Sequence, residues 1–147
     1  MRCKLAIIKE KKLKISSVIE NLSPSGLPDA EPEKTEVSVD GFLKISEEGY
    51  EITYSEKTEG GKIVSVITVG EEGIRVKRVG AIESNMLFSE GLSHSSVYAM
   101  PPYSFDAVVT TKKIRNGLTR DGGRVDIFYD MLIGGAKKQV KMRIECL

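Results

Sequence analysis

Tryptophan is missing from this chain, histidine occurs once, at His94, and cysteine twice, at Cys3 and Cys146. Each shortage excludes something. One histidine and no Cys-x-x-Cys spacing leave no recognisable ligand set for a metal site. A serine triad would need His94 to act on Ser93, Ser95 or Ser96. Such close sequence neighbours seldom acquire triad geometry within one turn, and no carboxylate is marked to orient the imidazole. HExxH, dinucleotide GxGxxG and Walker-type patterns are absent, and the pairs Gly60-Gly61, Gly122-Gly123 and Gly134-Gly135 stand where hairpin turns are expected. No spacing rule selects a carboxylate pair from Glu56, Asp126 and Asp130 for glycoside-type chemistry. An enzyme is therefore not the expected reading, and no cofactor is expected.

Long hydrophobic runs are missing too. Nothing approaches the roughly 20 apolar residues of a membrane span, and the stretch Leu5–Ile8 before the first lysine cluster is too short for a signal peptide. A cytoplasmic protein with free thiols is expected, although a barrel closing its first strand on its last would bring Cys3 and Cys146 to one rim. Net charge is only +1, too small to draw nucleic acid or an anionic membrane to the whole molecule. The charge is uneven: acidic residues outnumber basic ones up to Gly73, and the reverse holds from Ile74 onward.

What the 147 residues do contain is alternation, and their number suits one domain spanning 1–147. The stretch Tyr50–Gly80 holds three β-type runs separated by glycine turns, and Val140, Met142, Ile144 and Cys146 alternate with Lys141, Arg143 and Glu145. Leu13 and Ile15 alternate with Lys12 and Lys14, and the lysines around them suggest an edge or rim. A short helix through Ser16–Leu22 is an option. The segment 21–34 carries Pro24, Pro28 and Pro32 and reads as a long loop, mobile or contacting a partner. Gly41 suggests a bulge or bend. The run Ile63–Val69 is apolar on both faces, as in a strand covered on both sides. Leu92–Ser96 reads as a polar turn, and Pro101-Pro102 stops a ladder. The fold class is all-β, a single antiparallel up-and-down β-barrel of about 8–10 strands, since closure removes exposed edges.

Several short motifs, in order, carry a resemblance. They are Gly49-Tyr50-x-Ile52-x-Tyr54-x-Glu56, the strand with Thr68, the step Arg78-x-Gly80, Met86-x-Phe88, Tyr98, Thr110 and the closing hairpin with Tyr129. Together, over roughly Lys11 to Cys146, they resemble the YwiB-like family of small bacterial proteins. The resemblance implies a lipocalin-like, calycin-type barrel of unknown function and brings no catalytic residues. Two departures affect loop geometry: the proline-rich segment 21–34, and Pro101-Pro102 where the family suggests a proline–glycine turn.

A barrel's inward face is either filled or encloses a cavity. An inward Arg78 needs a partner, and Glu56 is the nearest acid by motif, as a structural pair or as a ligand anchor. Tyr50, Tyr54, Tyr98 and Tyr129 either pack the core or line a pocket with hydroxyl handles. These six residues are the candidate ligand-binding set, for a small apolar or amphipathic ligand in the interior or at one mouth. The alternative is a protein- or RNA-contacting module using an outer basic face of Lys112, Lys113, Arg115, Arg120 and Arg124. Aromatics make up only 6% of the chain, a thin stacking platform, so nucleic acid is not the favoured partner. A homodimer is left open.

Overall fold

The computed structural model describes residues 6–23 and 31–147. Among them the regular elements are strands: β1 (Ile7–Leu22), β2 (Glu33–Ser46), β3 (Gly49–Thr58), β4 (Gly61–Val69), β5 (Ile74–Gly80), β6 (Ser84–Phe88), β7 (Ser93–Met100), β8 (Tyr103–Asn116), β9 (Gly123–Ile133) and β10 (Ala136–Cys146). No helix among the described residues is long and apolar enough to cross a membrane. Half of segment 21–34, with Pro24 and Pro28, and also Cys3, lie outside the described residues, and the expected loop is shorter at both ends, since Asn21 and Leu22 pair in β1 and Glu33 and Lys34 in β2.

All pairings are antiparallel, and the sheet runs β6-β5-β4-β3-β2-β1-β10-β9-β8-β7. The first and last strands do meet: Leu13 faces Cys146 and Ile15 faces Ile144. The incomplete seam lies instead between β6 and β7. An isolated bridge joins them there, Glu83 to Ala99, with both backbone bonds at 2.8 Å. The result is a ten-stranded, nearly closed barrel.

Why the seam stays open is visible in the connection that follows β6. The Gly91 amide donates to the Thr111 carbonyl at 2.9 Å, and the Thr111 amide to the Leu92 carbonyl at 3.0 Å. The chain therefore crosses to β8 before it turns into β7. At that level the β8–β9 register slips between Thr111 and Lys113. The amide of Ile114 donates to Glu90 Oε1 at 2.7 Å, so a carboxylate from the β6–β7 connection satisfies a donor beside the bulge.

Several local expectations change. Ser16–Leu22 is strand, because β1 is hydrogen-bonded on both sides, to β2 and to β10. Nor is β1 an edge. Lys12 and Lys14 reach outward to Asp40 and Glu36 at 2.7 Å, while Lys9 and Lys11 belong to the inward series of Leu13 and Ile15. Gly41 sits in unbroken register between Lys11 and Tyr54, with no bulge. A Cβ there would meet the Leu13 side chain and the Thr53 carbonyl, so glycine answers a close approach. On β4 the outward Val64 and Val66 are half-buried and Thr68 exposed, so that face is not covered. Leu92–Ser96 is no turn: β7 already begins at Ser93.

The middle of the bore is filled. Leu13, Leu43, Ile52, Ile67, Ile74, Phe88, Ile127 and Ile144 are almost wholly inaccessible, and the Phe88 and Tyr129 rings meet with centroids 4.6 Å apart. One end is shut by the β8–β9 connection. Leu118 from that loop is buried in the core cluster. Lys11 Nζ donates to the Asp121 carbonyl at 2.7 Å and Lys9 Nζ to the Arg120 carbonyl at 2.8 Å. Cys146 lies buried in the same cluster. Burial pushes its thiol up, opposed by the Lys11 charge. Leu118→Ala is expected to cost about 2 kcal/mol, the low end for a leucine truncation because the site is at a rim. In a Cys3→Ser background it should also quicken modification of Cys146 by a thiol reagent. An unchanged rate would show that the loop does not shield the thiol.

Candidate functional site

Polar residues interrupt the inward face along one rung. Register places Tyr54 opposite Ser65, Ser65 opposite Arg78, and Arg78 opposite Ser84, across β3 to β6. Directly opposed side chains of one face lie about 5 Å apart at Cβ. Ser65 and Ser84 are buried. Beyond the seam, His94, Ser96 and Tyr98 form the half-buried inward series of β7.

These two polar edges border a slot of about 670 Å³ that follows the β6–β7 seam. Arg78, Ser84, His94 and Ser96 line it from the inner side; Arg75 and Lys77 line it from the outer side of β5. Arg75 is held by Asn85, its Nη1 donating to Oδ1 at 2.7 Å. Several buried atoms have no hydrogen-bond partner among the described residues: Arg78 Nε, Ser65 Oγ, Ser96 Oγ and His94 Nε2. Thr111 Oγ1, next to Tyr129 in register, is another. Buried donors and acceptors in native proteins are nearly always satisfied, so this cluster of exceptions singles the region out.

Tyr129 ties this region to the core. Burial pushes its phenol up to about 12, the Arg78 guanidinium pulls the other way, and the Tyr98 phenol adds to the rise. Arg78 and Tyr98 are thus each within electrostatic reach of Tyr129.

Of the six residues singled out from the sequence, the structure brings Tyr54, Arg78, Tyr98 and Tyr129 toward one end of the bore. Tyr50 also faces inward but lies at the other end, opposite Ile45 and Val69. Glu56 is on the inward face but one rung away: it opposes Ile63, which opposes Gly80. No ion pair joins Glu56 to Arg78, because the antiparallel registers offset them by two residues. Ser65, Ser84, Ser96 and Thr111 were not anticipated. The signal was present for Ser65, a lone hydroxyl inside the apolar series Ile63, Ile67 and Val69.

The basic candidates are spread out. Lys112 contacts Asp130 at 3.3 Å and Arg124 contacts Asp126 at 3.4 Å, while Arg143 holds the same Asp126 at 2.8 Å. Arg115 sits over the Phe128 ring at 5.9 Å, with Lys141 at 5.8 Å. Lys113 is exposed, and Arg120 belongs to the loop over the far mouth. Two acids are therefore set among these cations. His94 is a strand residue rather than a turn residue, beside Val109 of β8.

Chemically, the slot offers hydrogen-bond donors, the guanidiniums of Arg78 and Arg75, the Lys77 ammonium and modest apolar walls. No group of three or more metal-ligating side chains occurs among the described residues. Comparison with known proteins agrees with the architecture. The model of a family described as a domain of unknown function, DUF1934, matches residues 25–144. The uncharacterised β-barrel protein YwiB of Bacillus subtilis (strain 168) is 29% identical over 128 residues, covering 87% of this chain and 85% of that one. The crystal structure of the ywiB protein from Bacillus subtilis superposes with a TM-score of 0.79 at 27% identity, covering 95% of this chain and 93% of that one.

Proposed function

The chain belongs to the DUF1934 family, and from that membership and the slot we propose that it is a non-catalytic binding barrel for a small, partly apolar molecule. One observation carries the reading: the unpartnered atoms of Arg78, His94 and Ser96 border the slot at the β6–β7 seam, where strand pairing is incomplete among the described residues, and that of Ser65 lies one strand further in, opposite Arg78. The filled middle of the bore narrows the lipocalin-like analogy. The ligand occupies the seam, with Tyr98 beside it, and does not run down the barrel axis. Small-molecule sites typically combine apolar walls with a few convergent polar groups, as this slot does.

Native mass spectrometry of freshly purified protein tests this directly. A population carrying an added small-molecule mass, lost on denaturation, is the expected result. Ligand-free protein throughout, with no thermal stabilisation by any member of an amphiphile panel, would count decisively against it. The same spectra report whether two chains pair.

A further inference from the structure

We infer that the molecule held at the seam carries an acidic head group, a carboxylate or a phosphate, and that Arg78 receives it. The inference rests on the binding reading above and adds the chemistry of the ligand.

The Arg78 guanidinium has five N–H donors in a planar fork and accepts nothing. It lies on the inward side of β5 in series with the buried Ile74 and Val76. Its Nε is buried, and neither a hydrogen bond nor an ion pair satisfies it among the described residues. The acid closest by motif, Glu56, is displaced by a rung. A guanidinium cannot shed its proton to relieve the cost of such a position, as a lysine could. An oxyanion from outside would satisfy it and neutralise the charge together, and a planar or tetrahedral oxyanion suits the fork bidentately.

The surroundings agree. Around the slot Arg75, Lys77 and Arg78 face a single acid, Glu83, so the field at the opening favours an anion. Ser96, across the seam on β7, lines the slot and holds a buried hydroxyl without a partner among the described residues, placed to donate to the same oxyanion, and Ser65, opposite Arg78 on β4, holds another one strand further in. Val79, Leu87, Val97 and Ala99 supply short apolar walls outside that polar patch. The ligand class is therefore a small acid with a modest apolar tail, entering through the seam head first.

Three probes of equal tail length separate the possibilities: octanoate, octyl phosphate and neutral octanol. Each is titrated into the full-length protein by calorimetry, alongside Arg78→Met, which keeps the stem and removes the charge, and Arg78→Lys, which keeps the charge without the fork. Binding of one or both acids, weakened about tenfold or more in Arg78→Met and only partly restored in Arg78→Lys, is the expected result. Which acid binds more tightly identifies the head group. If octanol binds as tightly as the acids, or if Arg78→Met leaves their affinity unchanged, the acidic head group is wrong while the binding barrel stands. If all three probes fail and the purified protein carries no added mass, both readings fall. The Met variant should fold, since it replaces an unpartnered cation by an apolar chain of similar length. A circular dichroism spectrum matching the wild type confirms this before titration.

Discussion

Phe88→Ala is expected to destabilise the protein by about 3–5 kcal/mol, the range for truncating a fully buried aromatic side chain. Phe88 has no accessible surface, and its ring meets that of Tyr129 of β9 inside the bore. Its position makes the loss matter more. It ends β6, a strand of five residues bonded along its length only to β5. The backbone therefore gives β6 half the support that a central strand has, and the Phe88 ring ties it to Tyr129, three strands away through the seam. Its removal should loosen the seam first. Amides of β6 and β7 should exchange faster with solvent than those of β1 and β10, beyond the global loss of stability. Phe42→Ala serves as the contrast. Phe42 points outward on β2 and is 48% exposed, so its truncation should stay within about 0.5 kcal/mol. Urea denaturation of both variants checks the pair. A difference of less than about 1 kcal/mol between them would show that the filled bore does not carry the stability assigned to it here.

Which face each residue takes was legible in the sequence, because period-two alternation specifies it, whereas whether the bore would be filled or hollow was not. Tyr54, Arg78 and Tyr129 all point inward as the pattern requires. Alternation does not specify which rung. The Glu56–Arg78 pair failed for that reason: both side chains are on the right face, and the registers of β3 with β4 and β4 with β5 separate them. Local composition misled in two further places. Ser16–Leu22 lacks a clean strand pattern but is clamped between two partners, so pairing overrides propensity. The serines around His94 look like a turn, yet they extend a strand whose partner, β8, is apolar enough to hold them. The open seam had no sequence signature. It depends on where the connection after Phe88 crosses to Thr111, a contact between residues whose pairing no local rule fixes. The unpartnered hydroxyl of Ser96 follows from the seam and stayed hidden with it, whereas Ser65 interrupts an apolar series that the sequence displays.

The seam's electrostatics lead to a prediction in alkali. Tyr129 has its phenol raised from 10.0 to about 12 in the folded protein, chiefly by burial. In the unfolded chain the phenol titrates near its ordinary value, so between about pH 10 and 12 the unfolded state loses this proton while the folded state keeps it. Tyr129 thus contributes its full stabilising effect below about pH 10, and that contribution falls away as pH climbs through about 12. At about 1.4 kcal/mol per pH unit, this one group removes roughly 2–3 kcal/mol over the interval. Tyr129→Phe deletes the titration and retains the ring against Phe88, so its stability should decline less steeply over the same range. Urea midpoints at several pH values from 9 to about 12, for wild type and variant, measure the difference in slope. Parallel declines would mean that Tyr129 is not held as a neutral phenol. Arg78→Met provides a second test of the same geometry. The Arg78 charge pulls the phenol down, so its loss should move the Tyr129 titration to still higher pH, read as the part of the phenolate absorbance that Tyr129→Phe abolishes. An unmoved titration would place the guanidinium away from the phenol, and with it away from the interior side of the slot where an oxyanion is proposed to meet it.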